Sequence, residues 1–425
     1  MTNAVLAPAL PGFASRTPGA LIGTAALVRW FEEGHDLAPV WDHLVARLDT
    51  DPADAAALMD MSTLLLIRKA RRKGEAAQAA ALDLQRHYRR SYNGGGGVRL
   101  LAFVTAGDLM ANTPLDFLLT GSDFDLHLFY VDKDTASLDA VPDHDVAIVA
   151  VGESPENQAV LLRLSDLLQD WPTPVVNGPP LRIAAMTRDR VCALFADTPS
   201  VLAPATRRID RQTLLDIARG DLRLERAMPG ISFPIIVRPI ASHAGEGLEK
   251  IDDTATLLVY LLERGEPDFF LSPFIDYRSA DGMFRKQRIA FIDGKAYPSH
   301  GATSAHWMVH YVNASMRHYP ERRAEEAAFM EGFDRDFAVR HAAAFTVLAE
   351  RIGLDYFAID SAELPDGRLL LFEADVAMVI HDADCARTFP YKKPAMHRLF
   401  AAFQRAIAAR CGVEQRQPKL ESSAA

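Results

Sequence analysis

Three carboxylates toward the end of the chain have types and spacing suited to chemistry. Asp360 follows the apolar run Leu354-Asp355-Tyr356-Phe357-Ala358-Ile359, and Glu373 and Asp375 close Leu369-Leu370-Leu371-Phe372, with Pro365-Asp366-Gly367 between the two runs. Two short strands joined by a turn are expected. Residues two apart on a strand share a face, so Glu373 and Asp375 project together, and an antiparallel partner brings Asp360 beside them. Carboxylates grouped in this way repel. A hard divalent cation, Mg2+ above all, relieves the repulsion and keeps positions free for water and phosphate oxygens. A plain hairpin with its acids in solvent satisfies the same spacing.

Basic and glycine-rich stretches stand upstream. Phe233-Pro234-Ile235-Ile236-Val237-Arg238-Pro239-Ile240 reads as a strand, and it runs into a small-residue loop containing Ser242, Gly245 and Gly247. Such a loop can lie over a polyphosphate and present N–H groups to it, with Arg238 as a fixed positive charge; a simple hairpin turn reads equally well. Asp268 to Ile275 is an apolar strand that meets a proline at Pro273, a plausible hinge whose backbone can meet a flat base. Phe284 to Ile292, Asp293-Gly294 and Lys295 to Pro298 form a hairpin with a two-residue turn. Alternation sends Lys286 and Arg288 to one face and Arg285 to the other. His300, His306, Trp307 and His310 follow at spacings that could suggest a metal ligand set, although a His pair at i, i+4 is more often surface or core and no H-E-x-x-H is present.

The elements that position these residues change character along the chain. Residues 20–92 carry helical patterns with Glu75 to Tyr88 as the last of them, and the stretch around Asp51-Pro52 and Lys73-Gly74-Glu75 is similar to a single tetratricopeptide-type helix pair. The basic run Arg68 to Lys73 reads as a helix C-terminus, where cations suit the dipole, or as a patch for an acidic partner. Asn93-Gly94-Gly95-Gly96-Gly97 marks a linker. From Val98 strands and helices alternate, which implies a parallel sheet, and its scattered glycines form no dinucleotide fingerprint. A helix over Pro320 to Phe333, a helix from Asp336 ended by Gly353, and a closing helix from Tyr391 to Ala409 complete the pattern.

The 425 residues leave room for two or three domains, and a net charge of -10 argues against a general nucleic-acid or anionic-membrane binder. Cys192, Cys385 and Cys411 form no ligand pair and fit a reducing cytoplasm. No apolar run is long enough to span a bilayer.

Taken in order, these features resemble the ATP-grasp superfamily, and most the branch of glutathione synthetases and ribosomal-protein glutamate ligases. The likeness runs from about Val98 to Ala409. It implies an α/β and α+β chain with a helical segment and Gly-rich linker (1–97), a Rossmann-like pre-ATP-grasp domain (98–180), and an ATP-grasp domain (181–410) whose lobes are about 181–276 and 277–410; a flexible tail (411–425) follows. It implies ATP and two Mg2+ ions, with Mn2+ as a substitute, held by Asp360, Glu373 and Asp375, where the family has Asn at the last position. Arg190 and Arg238 stand where the family has phosphate-binding lysines. Ser242, Gly245 and Gly247 form the lid, Leu271 to Phe274 the adenine hinge with Pro273 in place of a usual Glu, and Arg288 the arginine facing the transferred phosphoryl group. His306, Trp307 and His310 are candidates for the acceptor pocket. The implied activity is carboxylate–amine ligation through an acylphosphate, on a peptide or protein in one version, with a homo-oligomer compatible. The alternative is a lapsed ATP-binding scaffold whose helical segment binds a partner protein.

Overall fold

The computed structural model describes residues 20–240, 242, 245–311 and 313–412, so the tail from 413 lies outside the described residues. Four helices come first, α1 (Thr24–Glu32), α2 (Ala38–Thr50), α3 (Ala55–Ile67) and α4 (Arg71–Leu84). The helical pattern expected to continue through Tyr88 stops at Leu84, and β1 (His87–Ser91) is a strand paired antiparallel to the strand Asp125–Tyr130. Leu84 and Tyr88 fit a helical stripe in sequence. In the fold Tyr88 instead turns inward, donating from its hydroxyl to the Ala81 carbonyl at 3.1 Å and meeting the Tyr130 ring edge-on. The helical segment therefore hands a strand to the following sheet before the Gly-rich linker.

The basic run divides between two helices. Arg68 and Lys69 end α3, with Lys69 N–H bonded to Leu66 O and Ala70 N–H to Leu65 O, the bond pattern of a left-handed helix cap, and Lys69 has φ 60°. Arg71, Arg72 and Lys73 form the first turn of α4, where no acidic side chain is present. Only the first half of the run sits where the helix dipole favours cations.

The first sheet has the order β1-β3-β2-β4-β5, with β2 (Arg99–Val104), β3 (Asp125–Tyr130), β4 (Val146–Val149) and β5 (Val175–Val176) parallel. β4 is buried throughout, as a parallel strand covered on both faces must be. β6 (Val201–Leu202) joins the third sheet. The second sheet is antiparallel, β7-β10-β8-β9, from β7 (Arg207–Asp210), β8 (Ile235–Pro239), β9 (Glu249–Ile251) and β10 (Asp268–Pro273). The third, β12-β11-β13-β14-β6, is built from β11 (Phe284–Ile292), β12 (Lys295–Ser304), β13 (Tyr356–Glu363) and β14 (Leu369–Asp375). Asp293 and Gly294 at the β11–β12 turn both have positive φ, 48° and 75°, the backbone a tight two-residue hairpin requires.

Stacked Phe291 and Phe357, 4.6 Å between centroids, belong to a core shared by the first and third sheets. The two are also clipped by one side chain. Asn177, fully buried after β5, accepts from Tyr356 N–H at 2.8 Å and donates to Tyr356 O at 2.9 Å, replacing a strand partner at the start of β13. The helical segment is tied in as well. In α1 Arg29 donates to Asp382 at 2.7 Å and to the Thr120 hydroxyl at 2.7 Å, and Asp116 accepts from Ala25 N–H at 2.6 Å.

Asn177→Ala strands two buried backbone groups of Tyr356 and places Ala at φ 59°. A loss of at least about 2 kcal/mol in urea unfolding is expected; an unchanged midpoint would show that the clip contributes nothing.

Candidate active site

Cross-strand register builds the centre of the site. Asp360 on β13 lies directly opposite Glu373 on β14, and Ala358 opposite Asp375, so the three carboxylates gather as their spacing implies. Arg288 on β11 lies opposite Asp360 on its other side. Irregular register follows Asp360 and Arg288 on neighbouring strands, the local bending that re-aims side chains beside functional sites.

The three carboxylates meet different fates. Asp360 is 1% exposed and accepts from Arg288 Nε at 2.8 Å, Arg288 Nη2 at 3.0 Å and Lys286 Nζ at 2.8 Å. Burial alone would favour its neutral form, but the Arg288 and Lys286 charges hold it well below the usual carboxylate range. Glu373, half-buried, accepts from Arg188 Nη2, and against that partial burial the arginine lowers it as well. Asp375 has no such cation. It accepts from Ala377 N–H at 3.2 Å and Glu153 N–H at 3.4 Å, and burial, reinforced by the Glu153 and Glu373 carboxylates, pushes it up to about 7.

The repulsion that suggested Mg2+ is therefore eased by Lys286, Arg288 and Arg188, and by the raised pKa of Asp375. Among the described residues no group of three or more His, Cys, Asp and Glu side chains is placed to hold a metal ion. Asp360, Glu373 and Asp375 would have to share a metal with oxygens of a bound phosphate, and no step below is routed through one.

A cavity of about 820 Å³ lies in front of these side chains, bounded by the second and third sheets, by the loops that follow β2 and β4, and by the turn between α3 and α4. Such a volume suits a nucleotide and a second small ligand. Arg238 reaches it from β8. It is 8% exposed and donates to the Ser242 hydroxyl at 3.3 Å and to the Ser242 carbonyl, with no carboxylate in ion-pair contact among the described residues. Burial, with Arg188 beside it, lowers the guanidinium to about 9, so it stays charged at neutral pH. Gly245 lines the cavity next to Ser242. Gly247 does not: its φ is 66°, a Cβ there would stand 2.7 Å from Pro239, and its carbonyl accepts from Tyr260.

Several expected residues move by one or two places. Arg190 is exposed and outside the cavity, whereas Arg188 lines it. The two are about 200° apart around the helix Arg188–Leu194, so only one can face inward. Leu271 packs in the core of the second sheet, while its alternate neighbours Phe270 and Ser272, with Pro273 and Phe274, line the cavity. His306 is exposed outside it, whereas Trp307 and His310 line it, and the Trp307 ring meets Phe274 edge-on at 5.8 Å.

Sequence reading missed the far wall. Lys392, 4% exposed, donates to Asp384 at 2.9 Å and to the Tyr311 hydroxyl and stands 3.4 Å from Glu326, whose carboxylate also accepts from Tyr391 at 2.6 Å and Gly301 N–H at 3.0 Å. His300, opposite Arg288 on β12, lines the cavity with its Nδ1 buried and unpartnered among the described residues; burial and the Arg288 and Lys392 charges keep it neutral. Glu326, Asp384 and Lys392 are dispersed in sequence, and no short-range spacing announces them. Asp382, between cavity-lining His381 and Asp384, is the residue gripped by Arg29, so the helical segment braces this wall.

No family model matches the sequence, and no curated protein matches it. The fold is similar to solved ATP-grasp structures. A RimK domain ATP-grasp protein from Sphaerobacter thermophilus matches at 14% identity and TM-score 0.41, over 72% of this chain and 99% of that one. A D-alanine–D-alanine ligase from Bacillus anthracis complexed with ATP matches at 12% identity and TM-score 0.45, over 74% and 97%. A D-cycloserine synthetase matches at 15% and 0.40, over 72% and 99%. Among the described residues no helix is long and apolar enough to cross a membrane.

Two outcomes are expected. Mn2+ titrated into the nucleotide-free protein, followed by the electron-spin signal of the free ion, shows no saturable site in the micromolar range; a tight site would restore the carboxylate cage. Because the Asp375 pKa is raised in the fold, its contribution to stability is full below the unfolded value near 4 and is lost as pH rises through about 7. Asp375→Asn should therefore flatten the fall in urea stability between pH 5 and pH 8, and an unchanged slope would contradict the assignment.

Proposed function

We propose that this chain is an ATP-dependent carboxylate–amine ligase that forms an amide through an acylphosphate. The observation that carries the reading is the charge balance of the cavity. Of the six basic side chains that line it, Arg188, Arg238, Lys286 and Arg288 gather around Asp360 and Glu373, while Lys392 is paired with Asp384 and Lys69 stands apart. The surplus includes Arg238, buried and without a carboxylate, which is costly unless an anion arrives. A triphosphate supplies that anion, with the base lying toward Phe270, Ser272 and Phe274 and with Ser242 and Gly245 over the phosphates.

In this reading a substrate carboxylate attacks the γ-phosphorus, the β–γ oxygen bridge breaks, and ADP leaves with the bridging electrons. The amine then attacks the acyl carbon, inorganic phosphate departs, and the amine loses its proton. Arg288 and Lys286 stabilise charge spreading over the transferred group, and Asp360 fixes both cations in position beforehand. Mg2+ or Mn2+ is expected to accompany the nucleotide as its complex. The cytoplasm is the expected compartment.

The saturation of Asp360 favours a second reading, an ATP-binding scaffold that does not turn over. ADP release separates the two. With ATP, Mg2+ and pooled amino acids and peptides, the parent protein should release ADP above its unstimulated rate, Glu373→Gln should abolish the stimulation, and Arg238→Met should raise the KM for ATP at least about tenfold. ATP binding without stimulated release would move the assignment to the scaffold.

A further inference from the structure

One motif remains outside this account: the basic run at the turn between α3 and α4. Lys69 is its key residue. It lines the cavity, it is exposed, and its side chain makes no ion pair or hydrogen bond among the described residues. Arg68, Arg72 and Lys73 beside it are likewise exposed and unpaired, whereas Arg71 is engaged by Glu75 with Asp108 and Glu156 nearby. The dipole of α3 accounts for Arg68 and Lys69 as cations but not for the rest of the run. Lys69 occupies a left-handed position that glycine fills more easily, and Arg72 and Lys73 oppose the dipole of α4. The chain as a whole carries a charge of -10, so this cluster is a local reversal of sign.

Its place relative to the site gives the charge a use. Lys69 enters the cavity beside Met110, Glu153, Ser154 and Pro155, residues that follow the carboxyl ends of β2 and β4. That crevice, where neighbouring parallel strands lead off in opposite directions, is where open sheets receive ligands. Phe270, Ser272 and Phe274 lie on β10 and just beyond it, in another sheet, so a molecule at Lys69 is a second ligand and not the base of the nucleotide.

We propose that the turn between α3 and α4 is a specificity rim, on which Lys69 binds an anionic group, carboxylate or phosphate, carried by an extended acceptor chain at a distance from its reacting end. This rests on the ligase reading for the acceptor's role, but binding itself can be measured without turnover. Arg68, Arg72 and Lys73 continue the attraction along the chain as it leaves the cavity.

The test uses three hexapeptides labelled with an uncharged dye, in which alanine alternates with Asp, phosphoserine or Asn, titrated into the full chain with a non-hydrolysable ATP analogue and Mg2+ and read by anisotropy. At least one anionic peptide should bind three- to tenfold more tightly than the Asn peptide, on the scale of exposed charge contacts. Preference for Asp over phosphoserine, or the reverse, identifies the source of the anion. Lys69→Gly suits the left-handed backbone and should fold at least as well, yet it should bring the preference below about twofold, while Lys69→Arg retains it. Equal binding of all three peptides, binding of none, a preference that survives Lys69→Gly, or tighter binding of a thymidine hexanucleotide overturns the proposal. ADP release by the parent with the bound peptide reports separately on the ligase reading: selective binding without release sinks that reading and leaves the rim standing.

Discussion

Asp360, buried between Arg288 and Lys286, is the interaction on which the rest of the site depends. Moving a carboxylate out of water is expensive unless opposite charge and hydrogen bonds replace the solvent. Here three N–H donors from two adjacent positions of one strand face do so. The reciprocal effect is the useful one. Two long, flexible cations are held against the cavity wall, and an anion entering it meets charges whose orientation is already fixed.

Around that pair the protein distributes sign with care. Glu373 is balanced by Arg188 and Lys392 by Asp384 and Glu326, burial raises the pKa of Asp375, and Arg238 faces the cavity without a carboxylate. The result is a basic end and a neutralised far wall within one space. Such a gradient suits the reaction proposed above, because a uniformly basic cavity would repel the protonated form of an amine.

The central hairpin was legible because strand periodicity is strict. Two-residue spacing placed Glu373 with Asp375 and Lys286 with Arg288, and antiparallel pairing brought Asp360 between them. The chemistry drawn from it was incomplete, since which cation answers a carboxylate depends on neighbours from β11 and from the helix Arg188–Leu194. Helical phase explains the exchange of Arg190 for Arg188, and strand alternation explains why Leu271 faces a core while Phe270 and Ser272 face the cavity. His87–Ser91 was misread because Leu84 and Tyr88 satisfy a helical stripe that pairing with β3 overrides. The far wall was beyond local reasoning. Glu326, Asp384 and Lys392 meet only after the third sheet and the C-terminal helix have packed.

The most direct test of the fixed-cation account is calorimetric titration of AMP, ADP and ATP, each with Mg2+, into the unmodified protein. If buried arginines await a polyphosphate, affinity rises at each added phosphate, with the largest step between AMP and ADP or between ADP and ATP and a clear loss of ATP affinity at high salt. Equal affinity for AMP and ATP, or no binding of either, would contradict the account.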